Sequence, residues 1–245
     1  MLFDLDNTLL RSDDVGDGGW QAVCGEAAEG LGVEAEHLLA AVLAERDLFW
    51  ADPARHREGR LGLPDSRAIF IEHALRNVGC SGDPGARAME IARRYSAIRT
   101  AQERLFPEAK DVLIALRAEG VRLGLLTNGA AVEQRSKVTR FDLTLLFDHI
   151  NIEGETGLGK PEPETFQQAM RALGVKADQT WMVGDWLEFD VLPCHALGLT
   201  GIWIDRDGKG LPEGFPTCRV IQSLNELLDM KDTEAAHAEG KVHRT

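Results

Sequence analysis

Two aspartates near the start of the chain, Asp4 and Asp6, follow a short apolar segment and stand two residues apart. Alternate residues of an extended strand share one face, so both carboxylates can face a single pocket where the strand stops. This spacing indicates a charged site at the end of a first strand.

Three further polar motifs occur where other elements stop or start. Thr127-Asn128-Gly129 follows an apolar run, and its hydroxyl and backbone N–H groups can hold an oxyanion. Lys160 precedes a helix start, where its charge and the helix dipole both favour an anion. Asp185 and Asp190 follow another apolar run. Each motif alone is weak, but four in this order indicate one shared site.

Charge explains why such a site would hold a cation. Asp4, Asp185 and Asp190 would crowd three carboxylates together, and two such charges about 4 Å apart cost ~4 kcal/mol at a surface-like dielectric. A divalent cation and Lys160 would remove that cost and create a site for phosphate. Oxygen ligands favour Mg²⁺ over zinc.

The elements that must position these residues alternate between strand and helix after residue 105. This alternation predicts an α/β fold, a Rossmann-like parallel sheet with helices on both faces, whose ligands bind at the carboxyl ends of its strands. The predicted strands are Met1–Leu5, Val121–Thr127, His149–Ile152, Trp181–Val183, Thr200–Ile204 and Arg219–Ile221. The predicted helices between them are Pro107–Glu119, Val132–Arg140, Pro163–Leu173 and Val191–Leu197.

The preceding block, from about Gly19 to Leu105, shows helical periodicity with no strand pattern. Asp83-Pro84 is typical of a helix start, and Ala51–Leu63 is predicted to be a loop. We therefore predict an α/β core at 1–15 and 105–230, an all-helical insert after the first strand at 16–104, and a polar tail at 231–245.

Together, these motifs resemble the haloacid dehalogenase (HAD) superfamily. The four matching segments are DLDNTL at Asp4–Leu9, LLTNG at Leu125–Gly129, GKPEPETF at Gly159–Phe166 and GDWLEFD at Gly184–Asp190. The resemblance covers the whole predicted core, and the helical insert resembles a C1-type cap.

The resemblance implies a phosphoaspartyl mechanism with Mg²⁺. Asp4 would be the nucleophile and a metal ligand. Asp6 would protonate the leaving oxygen and then activate water, and its backbone carbonyl would bind the metal. Lys160 would balance the charge on Asp4 and the phosphate.

The remaining roles implied by the resemblance concern binding. Thr127 and the backbone at Asn128 would hold the phosphoryl oxygens. Asp185 would bind Mg²⁺ through its side chain, and Asp190 would support the metal site from nearby.

The residues favour a phosphatase that hydrolyses a small-metabolite phosphomonoester. The founding dehalogenases lack the carboxylic acid that Asp6 supplies, and related phosphomutases usually carry serine where this chain has Thr127-Asn128-Gly129. The motifs resemble most the branch with pyrimidine nucleotidases and N-acylneuraminate-9-phosphatase. The alternatives left open are a phosphotransferase or phosphomutase, a 2-haloacid dehalogenase, and a non-catalytic binding module.

Two groups of residues are candidates for substrate binding, but we favour a structural role for each. Trp186 and Phe189 depart from the small polar residues that are common in the fourth motif, as does the following Pro193-Cys194 pair. We expect Trp186 to seal the boundary between core and cap and Arg55–Arg60 to be a solvated loop.

Composition limits the partners and the compartment. The chain has 245 residues, with 27 Lys and Arg against 40 Asp and Glu, and its formal net charge is −13. This charge disfavours nucleic acid and anionic membranes and leaves a small phosphorylated metabolite as the expected partner. Four scattered cysteines and no signal peptide predict a cytoplasmic protein. We expect a monomer or homodimer, although these residues do not determine which. Only three residues precede Asp4, so we expect the true start codon to lie upstream.

Overall fold

The computed structural model describes residues 1–12, 16–80 and 82–230, without the side chains of Pro53 and Ala54. The predicted tail, 231–245, lies outside the described residues. The chain forms two compact units. The α/β unit comprises 1–11, 105–128 and the described residues from 132 onward, and the helical unit comprises Ser12–Arg104 with Gly129–Ala131.

The α/β unit contains a six-stranded sheet in the order β5-β4-β1-β6-β7-β8, in which each neighbouring pair is parallel. This confirms the predicted α/β fold class. A second sheet pairs β2 with β3. The strands are β1 (Leu2–Phe3), β2 (Leu10–Arg11), β3 (Arg104–Leu105), β4 (Gly124–Thr127), β5 (His149–Ile152), β6 (Trp181–Gly184), β7 (Thr200–Ile204) and β8 (Arg219–Ile221).

Helices cover both faces of the large sheet, as the two residues of β1 show. Leu2 packs with Phe166 and other apolar residues of one cluster, while Phe3 packs in a separate cluster with Leu113 and Val183. Successive strand residues point to opposite faces, so both faces of the central strand are buried. The helices of this unit are α6 (Ala109–Ala118), α7 (Ala131–Arg140), α8 (Glu153–Thr156), α9 (Pro163–Leu173) and α10 (Leu192–Leu197).

The helical unit has its own apolar core, in which Trp20 stacks on Tyr95 at a centroid distance of 3.7 Å. The side chain of Asp83 caps its last helix, as predicted, by accepting from the N–H groups of Gly85 and Ala86. No helix among the described residues is long and apolar enough to cross a bilayer. The helices of this unit are α1 (Gly16–Leu31), α2 (Ala35–Ala51), α3 (Pro53–Leu61), α4 (Asp65–Asn77) and α5 (Pro84–Gln102).

Several predicted boundaries were wrong. The first strand is Leu2–Phe3 rather than Met1–Leu5. The strand predicted from Val121 begins at Gly124, because the N–H of Leu123 donates to the carboxylate of Asp148 at 2.8 Å instead of to a neighbouring strand.

The helical block also differs from its prediction in two places. The predicted loop Ala51–Leu63 contains α3, which begins at Pro53, a residue whose fixed φ suits the first turn of a helix. The block predicted to be free of strands ends with β3, whose two residues pair with β2. Two residues are too few to show an alternating pattern in the sequence.

Candidate active site

The candidate site centres on Lys160, whose ammonium group lies between two carboxylates. Its Nζ donates to Asp4 Oδ1 at 2.5 Å and to Asp190 Oδ1 at 2.7 Å. All three side chains are buried, and the side chain of Lys160 is 4% exposed. The burial of Lys160 alone would lower its pKa, but the charges of Asp190 and Asp4 outweigh that effect and raise the pKa.

Asp185 completes an acidic cluster around this lysine. One carboxylate oxygen from each of Asp4, Asp185 and Asp190 lies within 4.8 Å of the others. Burial and neighbouring negative charge raise the pKa of Asp4 to about 7 and that of Asp185 to about 8. Three carboxylates carry more negative charge than the single Lys160 cation can balance, and they offer only oxygen ligands. Such a donor set fits a hard divalent cation such as Mg²⁺.

The backbone around β6 determines where Asp190 lies. A Cβ on Gly184 would lie 2.2 Å from Asp190 Cγ, so only glycine allows the carboxylate to pack against this strand end. One turn of π-helix, Leu187–Val191, follows β6, and Asp190 Oδ2 accepts from the Trp186 N–H at 3.0 Å. The sequence did not predict this π-helical turn, which is a common feature of functional sites.

The side chain of Asn128 contacts protein backbone. Its Nδ2 donates to the carbonyl oxygen of Lys160 at 2.7 Å, and its Oδ1 accepts from the N–H of Lys160 at 2.8 Å. The carboxamide therefore fixes the segment that carries Lys160. The backbone N–H of Asn128 as a phosphate ligand stays a prediction.

Asp6 lies on a second polar network that the sequence analysis missed. Its carboxylate accepts from Lys137 Nζ at 2.8 and 3.0 Å and from Gln134 Nε2 at 2.8 Å. Gln134 Nε2 also lies 2.5 Å from Thr127 Oγ1 and 2.9 Å from the carbonyl oxygen of Asn128. The three-residue spacing of Gln134 and Lys137 just after the Thr-Asn-Gly motif was the available signal.

Arg206, also missed, supports the segment after Asp6. Its guanidinium donates to the carbonyl oxygen of Thr8 at 2.7 Å and to Glu108 Oε1 at 2.8 Å. The group also lies over the ring of Phe106, 3.3 Å from the centroid. Arg206 follows β7, the strand next to β6, so the fold brings it to the carboxyl edge of the sheet.

The residues given a structural role differ in exposure. Trp186 is 51% exposed, and its ring lies against Phe189 at a centroid distance of 4.6 Å. The predicted role of Trp186 at a domain boundary stays a prediction. The solvated loop predicted at Arg55–Arg60 is part of α3, with Arg55 and Arg57 exposed.

These features define an α/β protein with an acidic site at the carboxyl ends of β1 and β6. A family model described as haloacid dehalogenase-like hydrolase matches residues 1–198. The chain belongs to the haloacid dehalogenase-like hydrolases, as its motifs predicted.

Three known proteins illustrate this similarity. The phosphoserine phosphatase of Thermus thermophilus is 32% identical over 240 residues, which cover 90% of this chain and 94% of the relative. The ribulose-1,5-bisphosphate 5-phosphatase of Halopiger xanaduensis is 30% identical over 238 residues, with coverage of 94% and 98%. The structure of a 2-haloacid dehalogenase from Pseudomonas syringae pv. Tomato has a TM-score of 0.65 at 27% identity, with coverage of 95% and 97%.

Proposed function

We propose that this protein is a phosphatase that hydrolyses the phosphate monoester of a small metabolite through an aspartyl-phosphate on Asp4. The observation that carries the proposal is the buried Asp4–Lys160–Asp190 arrangement with the second carboxylic acid, Asp6, two residues after Asp4. The two relatives named as phosphatases, each matched over nearly its full length, support the same reaction.

The reaction proceeds in two displacements. A carboxylate oxygen of Asp4 attacks phosphorus, the ester P–O bond breaks, and Asp6 donates its proton to the leaving oxygen. Asp6 then removes a proton from water, the water oxygen attacks the phosphorus held on Asp4, and the bond between them breaks to release inorganic phosphate.

The surrounding groups stabilise the charge of the phosphoryl group. Lys160 offsets the charge of Asp4 and the phosphoryl oxygens, and the hydroxyl of Thr127 and the N–H of Asn128 bind those oxygens. Asp4, Asp185 and the backbone carbonyl of Asp6 would hold Mg²⁺, which when bound supplies positive charge beside the phosphoryl group. Asp190, whose two oxygens accept from Lys160 and the Trp186 N–H, would act on the metal site indirectly.

We assign substrate choice to the helical unit, as the cap of the enzyme. The carboxyl edge of a parallel sheet leaves a phosphoaspartate open to water, so a second element must exclude water and select the leaving group. The insert 16–104 is the largest segment outside the α/β unit.

A 2-haloacid dehalogenase is the second candidate, because a protein with that name shares the fold at 27% identity. Asp6 favours the phosphatase, since expulsion of an alkoxide needs a proton donor whereas expulsion of halide does not.

A substrate screen distinguishes the two candidates. Purified protein is incubated with phosphoserine, sugar phosphates, nucleoside monophosphates and 2-chloropropionate, with Mg²⁺ or with EDTA. We expect phosphate release that EDTA and the Asp4→Asn substitution abolish, and no chloride release. Chloride release without phosphate release, or full phosphatase activity in Asp4→Asn, would contradict the proposal.

A further inference from the structure

Two long polar side chains on α7, Gln134 and Lys137, are buried, with residue exposures of 3% and 8%. They stand three residues apart, so they lie on one face of the helix. Lysine is among the residues that are most rarely buried, because its ammonium group loses hydration unless a partner compensates. Their burial therefore indicates a specific role.

The shared partner of both side chains is Asp6. Lys137 Nζ bonds to both carboxylate oxygens, and Gln134 Nε2 bonds to Oδ2. Bonds from one rigid helix to both oxygens fix the direction of the carboxylate, whereas a single bond would leave it free to rotate.

Gln134 extends the same control to Thr127. Its Nε2 lies 2.5 Å from Thr127 Oγ1, the nearest of three acceptors that share its two hydrogens, and because an amide NH2 only donates, the hydroxyl oxygen is the acceptor. The hydrogen of the Thr127 hydroxyl then points to a different acceptor, and an anion such as phosphate is a suitable one. One helix thereby orients the Asp6 carboxylate and an anion-binding hydroxyl together.

We infer that Lys137 and Gln134 are positioning residues that act through Asp6, and that Gln134 also orients Thr127. The inference rests on the proposed phosphatase function. Proton transfer to the leaving oxygen needs Asp6 within hydrogen-bond reach, and a misplacement near 1 Å can cost ~100-fold in rate. Lys137 and Gln134 make no contact with the leaving group in this role.

The first test compares leaving groups. We measure kcat/KM for p-nitrophenyl phosphate, whose phenolate leaves without protonation, and for phosphoserine or the alkyl phosphate turned over fastest in the screen. Lys137→Met should lower the alkyl value roughly tenfold more than the aryl value, because only the alkoxide needs the proton. Lys137→Arg, which keeps the positive charge, should retain most of the wild-type kcat/KM for the alkyl phosphate. Arg135→Met removes an exposed ion pair with Glu155 on the same helix and serves as the control.

The second test is a double-mutant cycle with Asp6→Asn. If Lys137 acts through Asp6, Lys137→Met should cause less than about twofold further loss of kcat/KM in the Asp6→Asn background, since coupled residues are non-additive. Losses that multiply across the cycle, or equal losses for both leaving groups, would overturn the inference.

A second variant and a wild-type control distinguish failure of the positioning role from failure of folding or of the proposed function. If Lys137→Met does not fold, the same cycle is measured with Gln134→Met, because that substitution keeps the Lys137–Asp6 ion pair. Gln134→Met should also raise the inhibition constant of inorganic phosphate, because Thr127 loses the contact that orients its hydroxyl. A wild-type protein that hydrolyses no phosphate ester refutes the proposed function. If the wild type is active but the losses of kcat/KM multiply across the double-mutant cycle, only the positioning role is refuted.

Discussion

At the scale of single residues, the site depends on one lysine that compensates several buried carboxylates. Lys160 bonds to Asp4 and Asp190, and Asp185 adds a third acidic group within reach. Removing a buried cation leaves its partners charged and unpaired, which typically costs about 3–5 kcal/mol. Removing a carboxylate from a crowded acidic cluster has no such penalty.

This asymmetry predicts different effects on stability for two inactive variants. Lys160→Met should abolish turnover and lower the free energy of unfolding by about 3 kcal/mol. Asp4→Asn, which is nearly isosteric, should abolish turnover while the free energy of unfolding stays unchanged or rises. Urea denaturation in EDTA at pH 8 measures both. Equal destabilisation by the two substitutions would show that Lys160 does not compensate the cluster.

The acidic cluster predicts a measurable response to Mg²⁺ without any substrate. A ligand that binds only the folded state stabilises it, by ~2.7 kcal/mol at a concentration 100 times its Kd. Mg²⁺ should therefore raise the melting temperature, and Asp185→Ala should remove that rise. Asp190→Ala should weaken it less, because we place Asp190 outside the direct ligands. A greater loss at Asp190 than at Asp185 would reverse the assignment.

At the scale of elements, the end of β6 and the π-helical turn after it form one unit. Asp190 reaches Lys160 only because Gly184 leaves room, and the Trp186 N–H fixes the other oxygen of Asp190. The element that carries Asp185 thus also supplies the counter-charge of Lys160. A single methyl group added at residue 184 should therefore disturb the end of β6, the π-helical turn and the contact with Lys160.

Gly184→Ala should disrupt this arrangement, because the added Cβ would lie 2.2 Å from Asp190 Cγ. We expect a loss of at least tenfold in kcat and a free energy of unfolding lower by about 1–3 kcal/mol, as in other overpacked sites. Gly25→Ala, at a helical position of α1 with nothing near the added Cβ, is the matched control and should be neutral or stabilising. Normal activity in Gly184→Ala would mean that Asp190 can move without consequence.

At the scale of the whole molecule, the proposed chemistry and the proposed substrate choice belong to different parts of the chain. The residues proposed for the phosphoryl transfer all lie in the α/β unit, while the helical unit has a separate apolar core. Because each unit has its own core, one can be exchanged while the other keeps its packing.

Replacing residues 16–104 with the insert of another phosphatase of the same family should change the preferred substrate. The aspartyl-phosphate should still form, because Asp4, Asp6 and Lys160 are retained. Trapping with beryllium fluoride reports on Asp4, and the substrate panel reports on specificity. An unchanged substrate profile in a folded chimera would place specificity in the α/β unit.

The sequence alone was sufficient for the features that depend on local patterns. The alternation of strands and helices predicted the parallel sheet, since hydrophobic periodicity and turn residues are local properties. The motif order also predicted that Asp4, Lys160 and Asp185 lie near one edge, because the carboxyl ends of parallel strands meet there. The resemblance supplied the family, which the comparison over residues 1–198 confirms.

Only the tertiary structure decided which side chains support those residues. Lys137 reaches Asp6 across 131 positions, and Arg206 reaches the carbonyl of Thr8 across 198. No local period links such distant positions, so spacing could place Gln134 and Lys137 on one helix face but could not identify Asp6 or Thr8 as a partner. Likewise, β2 and β3 are too short to show a pattern, and the π-helical turn depends on the packing of Asp190 against Gly184. Local propensities determine which elements form, but the partners of buried polar groups are fixed only when distant segments pack together.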